Sequence, residues 1–79
     1  MHLSQLPQGS HARITAIDAE DNLARKLLEM GLQEGMEVQL MHVGPVGRDP
    51  LAIDINGRTV ALRRRDAAHI RIEQLVAAE

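Results

Sequence analysis

Residues 51–62 read Leu-Ala-Ile-Asp-Ile-Asn-Gly-Arg-Thr-Val-Ala-Leu, and this stretch carries the strongest local structural signal in the chain. Apolar residues alternate with smaller or polar ones on both sides of Asn56-Gly57, which is typical of half-buried β-strands. Asn and Gly both tolerate the positive φ angles that a type I′ turn requires. The stretch therefore predicts an antiparallel hairpin with strands at 51–55 and 58–62.

Three further segments show the same two-residue alternation, at 12–16, 37–40 and 69–73. Turn-forming residues separate the segments, and we interpret 44–47, which reads Gly-Pro-Val-Gly, as one of these turns. Five short strands in so small a chain cannot cover both faces of an open sheet. We therefore predict a mainly β fold in which five strands close into a small barrel, because closure removes the exposed edges.

One short α-helix is predicted at about 22–30, between the first two strands. Asp21 is suited to cap the first amides of this helix, and Gly31 supplies the left-handed residue that ends it. With Gly31 in that position, Leu32 falls where a Schellman motif folds an apolar residue back onto Leu27. The helix therefore has recognisable signals at both ends.

The predicted helix has one buried side and one solvated side. At 100° per residue, Leu23, Leu27 and Met30 lie within about 60° of one another, and we predict that they face the core. Ala24 and Leu28 lie about 100° and 140° from Leu23, at the edge of that side. Leu28 then either covers the open end of the barrel or offers an exposed apolar contact. The charged residues of the opposite side are Arg25, Lys26 and Glu29.

Length, charge and composition restrict the classes of function that the chain could have. The 79 residues are enough for a single domain, which we place at 1–79. The chain has no Phe, Tyr or Trp, so it lacks the rings that line proline-rich peptide grooves and stack on single-stranded nucleic acid. Its net charge of −2 also argues against nucleic-acid binding. The basic run 63–65, followed by Asp66, is interpreted as a solvated loop or strand end, with an anion-binding patch as the alternative.

The sequence offers little catalytic or metal-binding chemistry. No two of the four His residues lie two or four positions apart, the spacing that a metal site on a single strand or helix needs. Cys is absent, and so is a Gly-rich phosphate loop. We therefore expect no enzyme, no cofactor and no native metal site. We also expect a cytoplasmic protein, because neither a signal peptide nor an apolar run of roughly 20 residues is visible.

Three ordered motifs occur along the chain. The first motif, Leu-Ala-Arg-Lys-Leu-Leu-Glu-Met-Gly-Leu-Gln-Glu-Gly, covers 23–35; Gly-Pro-Val-Gly-Arg-Asp-Pro covers 44–50; and Val-Ala-Leu-Arg-Arg-Arg-Asp-Ala-Ala-His-Ile covers 60–70. Their types and spacing resemble the ferrous iron transport protein A (FeoA) family, over nearly the whole chain. This resemblance implies an SH3-like β-barrel. One departure is an extra residue around Arg48 in the second motif.

The resemblance also implies a function. Members of this family are small cytoplasmic accessory proteins of bacterial ferrous iron uptake, and the implied partner is the cytoplasmic GTPase-containing region of the membrane transporter FeoB. The chain would then be associated with the inner membrane through that partner, without inserting into it, as a monomer or weak dimer. The alternative is a metal-responsive regulatory module that binds Fe²⁺ or a repressor partner.

For the partner contact, we predict a surface on the exposed part of the helix and on the adjacent loops. Leu28 and Ala24 supply apolar area beside charged side chains, an arrangement that protein interfaces use. Val46 is a second apolar point, unless it packs only against its own loop. We expect Arg25 and Arg48 to be exposed and mobile, and the two are therefore the basic side chains considered for a role near GTP. The full predicted set is Ala24, Arg25, Leu28, Glu29, Val46 and Arg48, with Leu27, Met30 and Gly31 supporting the helix.

Overall fold

The computed structural model describes residues 1–76 of the chain as one antiparallel sheet with short helical segments around it. The strand order is β4-β3-β2-β1-β5. The elements are, in chain order, a 3₁₀ turn at Leu3–Gln5, β1 at His11–Ile17, α1 at Asp21–Glu29, β2 at Glu37–Val46, β3 at Asp49–Ile55, β4 at Arg58–Leu62, α2 at Arg64–Ala67 and β5 at Ile70–Leu75. The prediction of five strands with one helix between the first two is confirmed.

The β3–β4 hairpin forms as predicted. Asn56 and Gly57 have φ angles of 52° and 84°, both positive, as a type I′ turn requires. Ile55 pairs with Arg58, and the pairing continues without a shift as far as Leu51 with Leu62. Because the register is regular, every second residue of β3 points into the core, and Leu51, Ile53 and Ile55 are buried.

The hydrogen-bonded sheet does not close into a full barrel, so the prediction of complete closure is corrected. Strands β4 and β5 are the two ends of the sheet and do not pair with each other. The amino-terminal segment occupies the outer edge of β5 instead: His2 pairs with Arg71, and the Ile72 N–H donates to the Met1 carbonyl at 2.9 Å. The N-terminus therefore protects the edge that β4 would have covered.

The core is entirely aliphatic and draws on every strand. Its fully buried large side chains include Ile14 on β1, Leu27 on α1, Leu40 on β2, Ile53 on β3 and Ile70 on β5. Leucine, isoleucine and valine fill the interior without any aromatic ring, as the composition requires. Among residues 1–76, no helix has both the length and the apolar character needed to cross a bilayer.

Helix α1 begins one residue earlier than predicted. Glu20, not Asp21, is its N-cap, because the Glu20 carbonyl already accepts the Ala24 N–H at 2.8 Å while its own backbone is extended. No side chain caps the first amides, and Asp21 lies in the first turn. An acidic residue there still complements the positive end of the helix dipole.

The end of α1 is the predicted Schellman motif. Gly31 has a φ of 95°, and its N–H donates to the Leu28 carbonyl at 2.9 Å. The Leu32 N–H donates to the Leu27 carbonyl, also at 2.9 Å. Both hydrogen bonds of the motif are therefore present, and Leu32 is buried beside Leu27 in the core.

Strand β2 is longer than predicted, because 44–46 continue the strand and do not form a turn. Val46 pairs with Asp49, and the turn itself is the two-residue pair Gly47-Arg48, with φ angles of 64° and 58°. A register shift between Val43 and Val46 bends this arm of the hairpin. Gly44 permits the bend, since a Cβ atom there would overlap the Asp49 carbonyl group. The departure from the family pattern at Arg48 therefore lies inside this turn.

Candidate functional site

The predicted partner-binding residues lie on two separate parts of the structure. We call Ala24, Arg25, Leu28 and Glu29 the helix surface, and Val46 with Arg48 the turn surface. No hydrogen bond or ion pair within residues 1–76 joins α1 to the β2–β3 turn. Each surface is held by its own set of contacts.

The helix surface centres on an exposed leucine. The Leu28 side chain is 56% exposed, whereas its neighbour Leu27 is completely buried. Leu28 is therefore not a core residue, and the interpretation in which it covers the end of the barrel is wrong. Ala24 is half-buried, and Arg25 and Glu29 are exposed beside Leu28. The result is one large apolar side chain among charged ones.

The residues that support α1 contribute unequally. Leu27 alone is fully buried, while Leu23 and Met30 are half-buried because they lie near the ends of the helix. Two polar contacts add to the packing of the helix. Lys26 Nζ lies 3.4 Å from Asp66 Oδ2, and Arg58 Nη2 donates to the Met30 carbonyl at 2.9 Å.

The turn surface carries the more exposed apolar side chain. Val46 is 80% exposed at the end of β2, so the interpretation in which it packs against its own loop is wrong. Arg48 differs from the prediction, which took it to be exposed and mobile. Its Nη2 donates to the Leu6 carbonyl at 2.8 Å, and the side chain is half-buried. This contact fixes the turn against the amino-terminal segment and uses one N–H donor of the guanidinium group.

The basic run at 63–65 forms part of α2, which the sequence did not predict. Arg63 is the N-cap of this helix, and its carbonyl accepts the N–H groups of Asp66 and Ala67 at 3.0 Å each. The three arginines are exposed, as predicted, but Arg64 and Arg65 lie in a helix and not in a loop or at a strand end. The sequence signal for this helix was Asp66, an acidic residue three positions after the N-cap Arg63. The fold buries Asp66 almost completely.

An open cleft of about 470 Å³ lies between the β2–β3 turn and α2. We call it the Arg cleft; its lining residues are Ser4, Val46, Gly47, Asp49, Arg64, Arg65 and Ala68. The Arg64 N–H donates to Asp49 Oδ1 at 2.9 Å, and Arg64 Nη1 donates to the Gly47 carbonyl at 3.4 Å. A smaller opening beside it is lined by Pro50, Arg63 and residues of the same cleft. The sequence indicated an anion-binding patch at 63–65 only as an alternative and did not place it beside Val46, because the cleft joins residues far apart in the chain.

These surfaces expose aliphatic side chains together with charged groups. The helix surface offers apolar area with charges of both signs, and the Arg cleft offers guanidinium groups around an apolar wall. Within residues 1–76, no group of three or more His, Asp and Glu residues is arranged to hold a metal ion. Hydrogen-bond donors and exposed aliphatic groups are what these surfaces present to a partner.

Known proteins resemble the chain along most of its length. A family model for the FeoA domain matches residues 1–74. The Fe(2+) transport protein A/Fe(2+) transporter FeoB fusion protein of Porphyromonas gingivalis is 36% identical over 73 residues. The matched region is 92% of this chain but only 8% of the fusion protein, so the chain spans a small part of that relative.

Solved structures of FeoA proteins are also similar to the chain, in both fold and sequence. The iron(II) transport protein A from Clostridium thermocellum superposes with a TM-score of 0.90 at 37% identity, over 95% of this chain and 46% of that one. FeoA from Stenotrophomonas maltophilia, described in complex with zinc as a prokaryotic SH3 domain protein, gives 0.79 at 34% identity, over 92% and 89%. The SH3-like class is confirmed, and the chain belongs to the FeoA domain family.

Proposed function

We propose that this chain is a small cytoplasmic accessory protein of ferrous iron uptake, and that it binds the cytoplasmic GTPase-containing region of FeoB. The observation that carries the proposal is the relative in which a matching domain and FeoB share one polypeptide. Fusion holds two modules together at a high effective concentration. A contact between them is the simplest reason for such an arrangement.

The helix surface is the proposed contact with FeoB. Leu28 provides exposed apolar area, and Arg25 and Glu29 supply polar groups around it. Protein interfaces commonly have this composition, with an apolar centre and a polar margin. The buried Leu27 and the Schellman motif hold the helix in place, so little conformational entropy is lost when a partner binds.

The proposal gives the chain no reaction of its own. Of the two arginines considered for a role near GTP, Arg48 is already bonded to the Leu6 carbonyl. Arg25 is exposed on the helix surface, where it would take part in recognition. Association with the inner membrane then follows from FeoB, and the chain acts there as a monomer or weak dimer.

Substitution of Leu28 by Asp tests the helix surface. The change places a charge in the centre of the contact, so we expect affinity for the cytoplasmic region of FeoB to fall by about ten-fold or more. Val76→Asp is the matched control, because Val76 is also an exposed apolar residue and lies beyond β5. Calorimetry measures binding, and circular dichroism verifies that each variant is folded. Equal affinity of a folded Leu28→Asp protein and the wild type would remove the helix surface from the interface.

The metal-responsive alternative has one observation in its favour, the zinc complex of the Stenotrophomonas maltophilia relative. The residues of this chain do not fit such a role well, because 1–76 contain no cluster of potential ligands. Titration with Fe²⁺ separates the two functions. Micromolar binding at a defined stoichiometry, lost on substitution of a His residue, would favour the alternative.

A further inference from the structure

We propose that the Arg cleft binds an acidic protein segment that also carries an aliphatic residue. The carboxylates would pair with the guanidinium groups of α2, and the aliphatic side chain would pack against Val46. This inference depends on the proposed function only for the identity of the natural partner, which would be a segment of FeoB. The chemistry of the cleft is argued from its own residues.

The charge of the cleft favours an acidic ligand. The Arg cleft and the smaller opening beside it together carry three guanidinium groups, on Arg63, Arg64 and Arg65, and one carboxylate, on Asp49. Positive charge is therefore in excess here, although the net charge of the chain is −2. Within residues 1–76, neither Arg63 nor Arg65 forms an ion pair or a side-chain hydrogen bond. Guanidinium groups bind carboxylates in a bidentate manner, so two strong donor groups remain available.

The Asp49 carboxylate does not cancel this charge. One of its oxygens accepts the Arg64 backbone N–H at 2.9 Å, which directs the carboxylate toward the start of α2. The Arg64 side chain turns to the Gly47 carbonyl and connects α2 with the turn. Asp49 and Arg64 thus shape the cleft, and Arg65 with Arg63 supplies the charge that a ligand meets.

The apolar wall of the cleft is exposed and held in place. Val46 is 80% exposed, and Ala68 lies exposed on the α2 side of the same cleft. The wall does not depend on a loose loop, because Val46 pairs with Asp49 and Arg48 is bonded to Leu6. A fixed wall of this kind accepts an aliphatic side chain at a low entropic cost.

Shape and composition favour a protein segment over other anions. The cleft is concave and large enough for a few side chains, whereas a bilayer presents a flat surface. Nucleic-acid strands are commonly held by aromatic stacking, and the chain has no aromatic residue. A protein segment that carries carboxylates and an aliphatic side chain would match both the guanidinium groups and the apolar wall of the cleft.

The test is an NMR titration of the ¹⁵N-labelled full chain with the synthetic peptide Glu-Glu-Leu-Glu-Glu-Leu. We expect salt-dependent shifts of the amides of Gly47, Arg65 and Ala68. The same peptide with Gln in place of Glu should bind about ten-fold more weakly or not at all. Absence of shifts at the cleft, or shifts centred on α1, would overturn the proposal.

Charge-reversal variants distinguish the effect of the charge in the cleft from the effect of the total charge of the chain. Arg65→Glu and Arg63→Glu should each weaken peptide binding by about ten-fold. Arg13→Glu changes the total charge by the same amount but lies on β1, in an exposed ion pair with Glu37, so it should leave binding of this peptide unchanged. Equal loss in all three variants contradicts a specific cleft. Stronger binding of phosphatidylglycerol vesicles or of single-stranded DNA at the same residues also contradicts it.

The peptide titration and the FeoB binding measurement test the cleft proposal and the proposed function separately. If the peptide binds at the cleft but wild-type protein does not bind the cytoplasmic region of FeoB, the cleft chemistry stands and the proposed function is wrong. If FeoB binds but the peptide causes no shifts at the cleft, the inference is wrong and the proposed function stands. If both the peptide and FeoB bind, Arg65→Glu should also weaken FeoB binding. Unchanged FeoB affinity of that variant would remove FeoB as the natural source of the segment.

Discussion

Helix α1 and the β2–β3 turn each present one large exposed apolar residue, but they are held in different ways. On α1, the exposed Leu28 directly follows the fully buried Leu27, and a local hydrogen-bond motif ends the helix. At the turn, the sequence neighbours of Val46, Pro45 and Gly47, are both exposed. Its position depends on a close backbone approach at Gly44 and on the contact of Arg48 with Leu6.

This difference has a practical consequence for mutagenesis. The helix surface is held by side-chain packing, so it is sensitive to the loss of buried volume. The turn surface is held by backbone geometry and hydrogen bonds, so it is sensitive to added volume and to the loss of a donor. The same size of substitution should therefore have different effects in the two regions.

The largest effect is expected at Leu27. Leu27→Ala removes a fully buried side chain, so we expect the free energy of unfolding to fall by about 2–5 kcal/mol. Leu28→Ala is the matched control on the same helix and should cost no more than about 0.5 kcal/mol, because Leu28 is exposed. Urea unfolding measures both changes. Similar losses for the two variants would contradict the assignment of buried and exposed sides.

An intermediate effect is expected at Gly44. A Cβ atom there overlaps the Asp49 carbonyl group, so Gly44→Ala should force β2 and β3 apart and lower the free energy of unfolding by about 1–3 kcal/mol. At Gly47 an added Cβ atom has no other atom within 4 Å. Gly47→Ala should therefore lower the free energy of unfolding only by the strain of the positive φ, roughly 1 kcal/mol. A Gly44→Ala protein as stable as the Gly47→Ala protein would show that the close approach is unimportant.

The smallest effect is expected at Arg48. Arg48→Ala removes one hydrogen bond, to the Leu6 carbonyl, so the expected loss is about 0.5–1.5 kcal/mol. Faster amide hydrogen exchange should be confined to the turn and the amino-terminal segment. Arg25→Ala serves as the control, since the Arg25 side chain forms no hydrogen bond or ion pair within residues 1–76. Equal exchange rates at the turn in the two variants would mean that Arg48 does not hold it.

The same contrast explains what the sequence could predict. The β3–β4 turn at Asn56-Gly57 and the end of α1 at Gly31 were predicted correctly, because φ preference and residue spacing act within a few positions. The continuation of β2 through 44–46 was not, since it requires Gly44 to lie against Asp49 in the opposite strand. Turn propensity at Gly-Pro was overridden by strand pairing.

Long-range contacts also account for the errors in the candidate site. Arg48 was predicted to be free, but its partner Leu6 lies 42 positions away in the chain. Barrel closure was expected to remove the exposed strand edges, but the sheet stays open and the N-terminus occupies the edge of β5 instead. Leu28 was placed correctly at the edge of the buried side by helical periodicity, which fixed the angle but left its exposure open. Local rules thus predicted the helix surface and missed the Arg cleft.

The most direct test of the account is calorimetric titration of the wild-type chain against the purified cytoplasmic region of the FeoB from the same organism. We expect saturable binding that Leu28→Asp weakens by about ten-fold or more and that Val76→Asp leaves unchanged. No detectable binding, or equal affinity for all three proteins in their folded state, would contradict it.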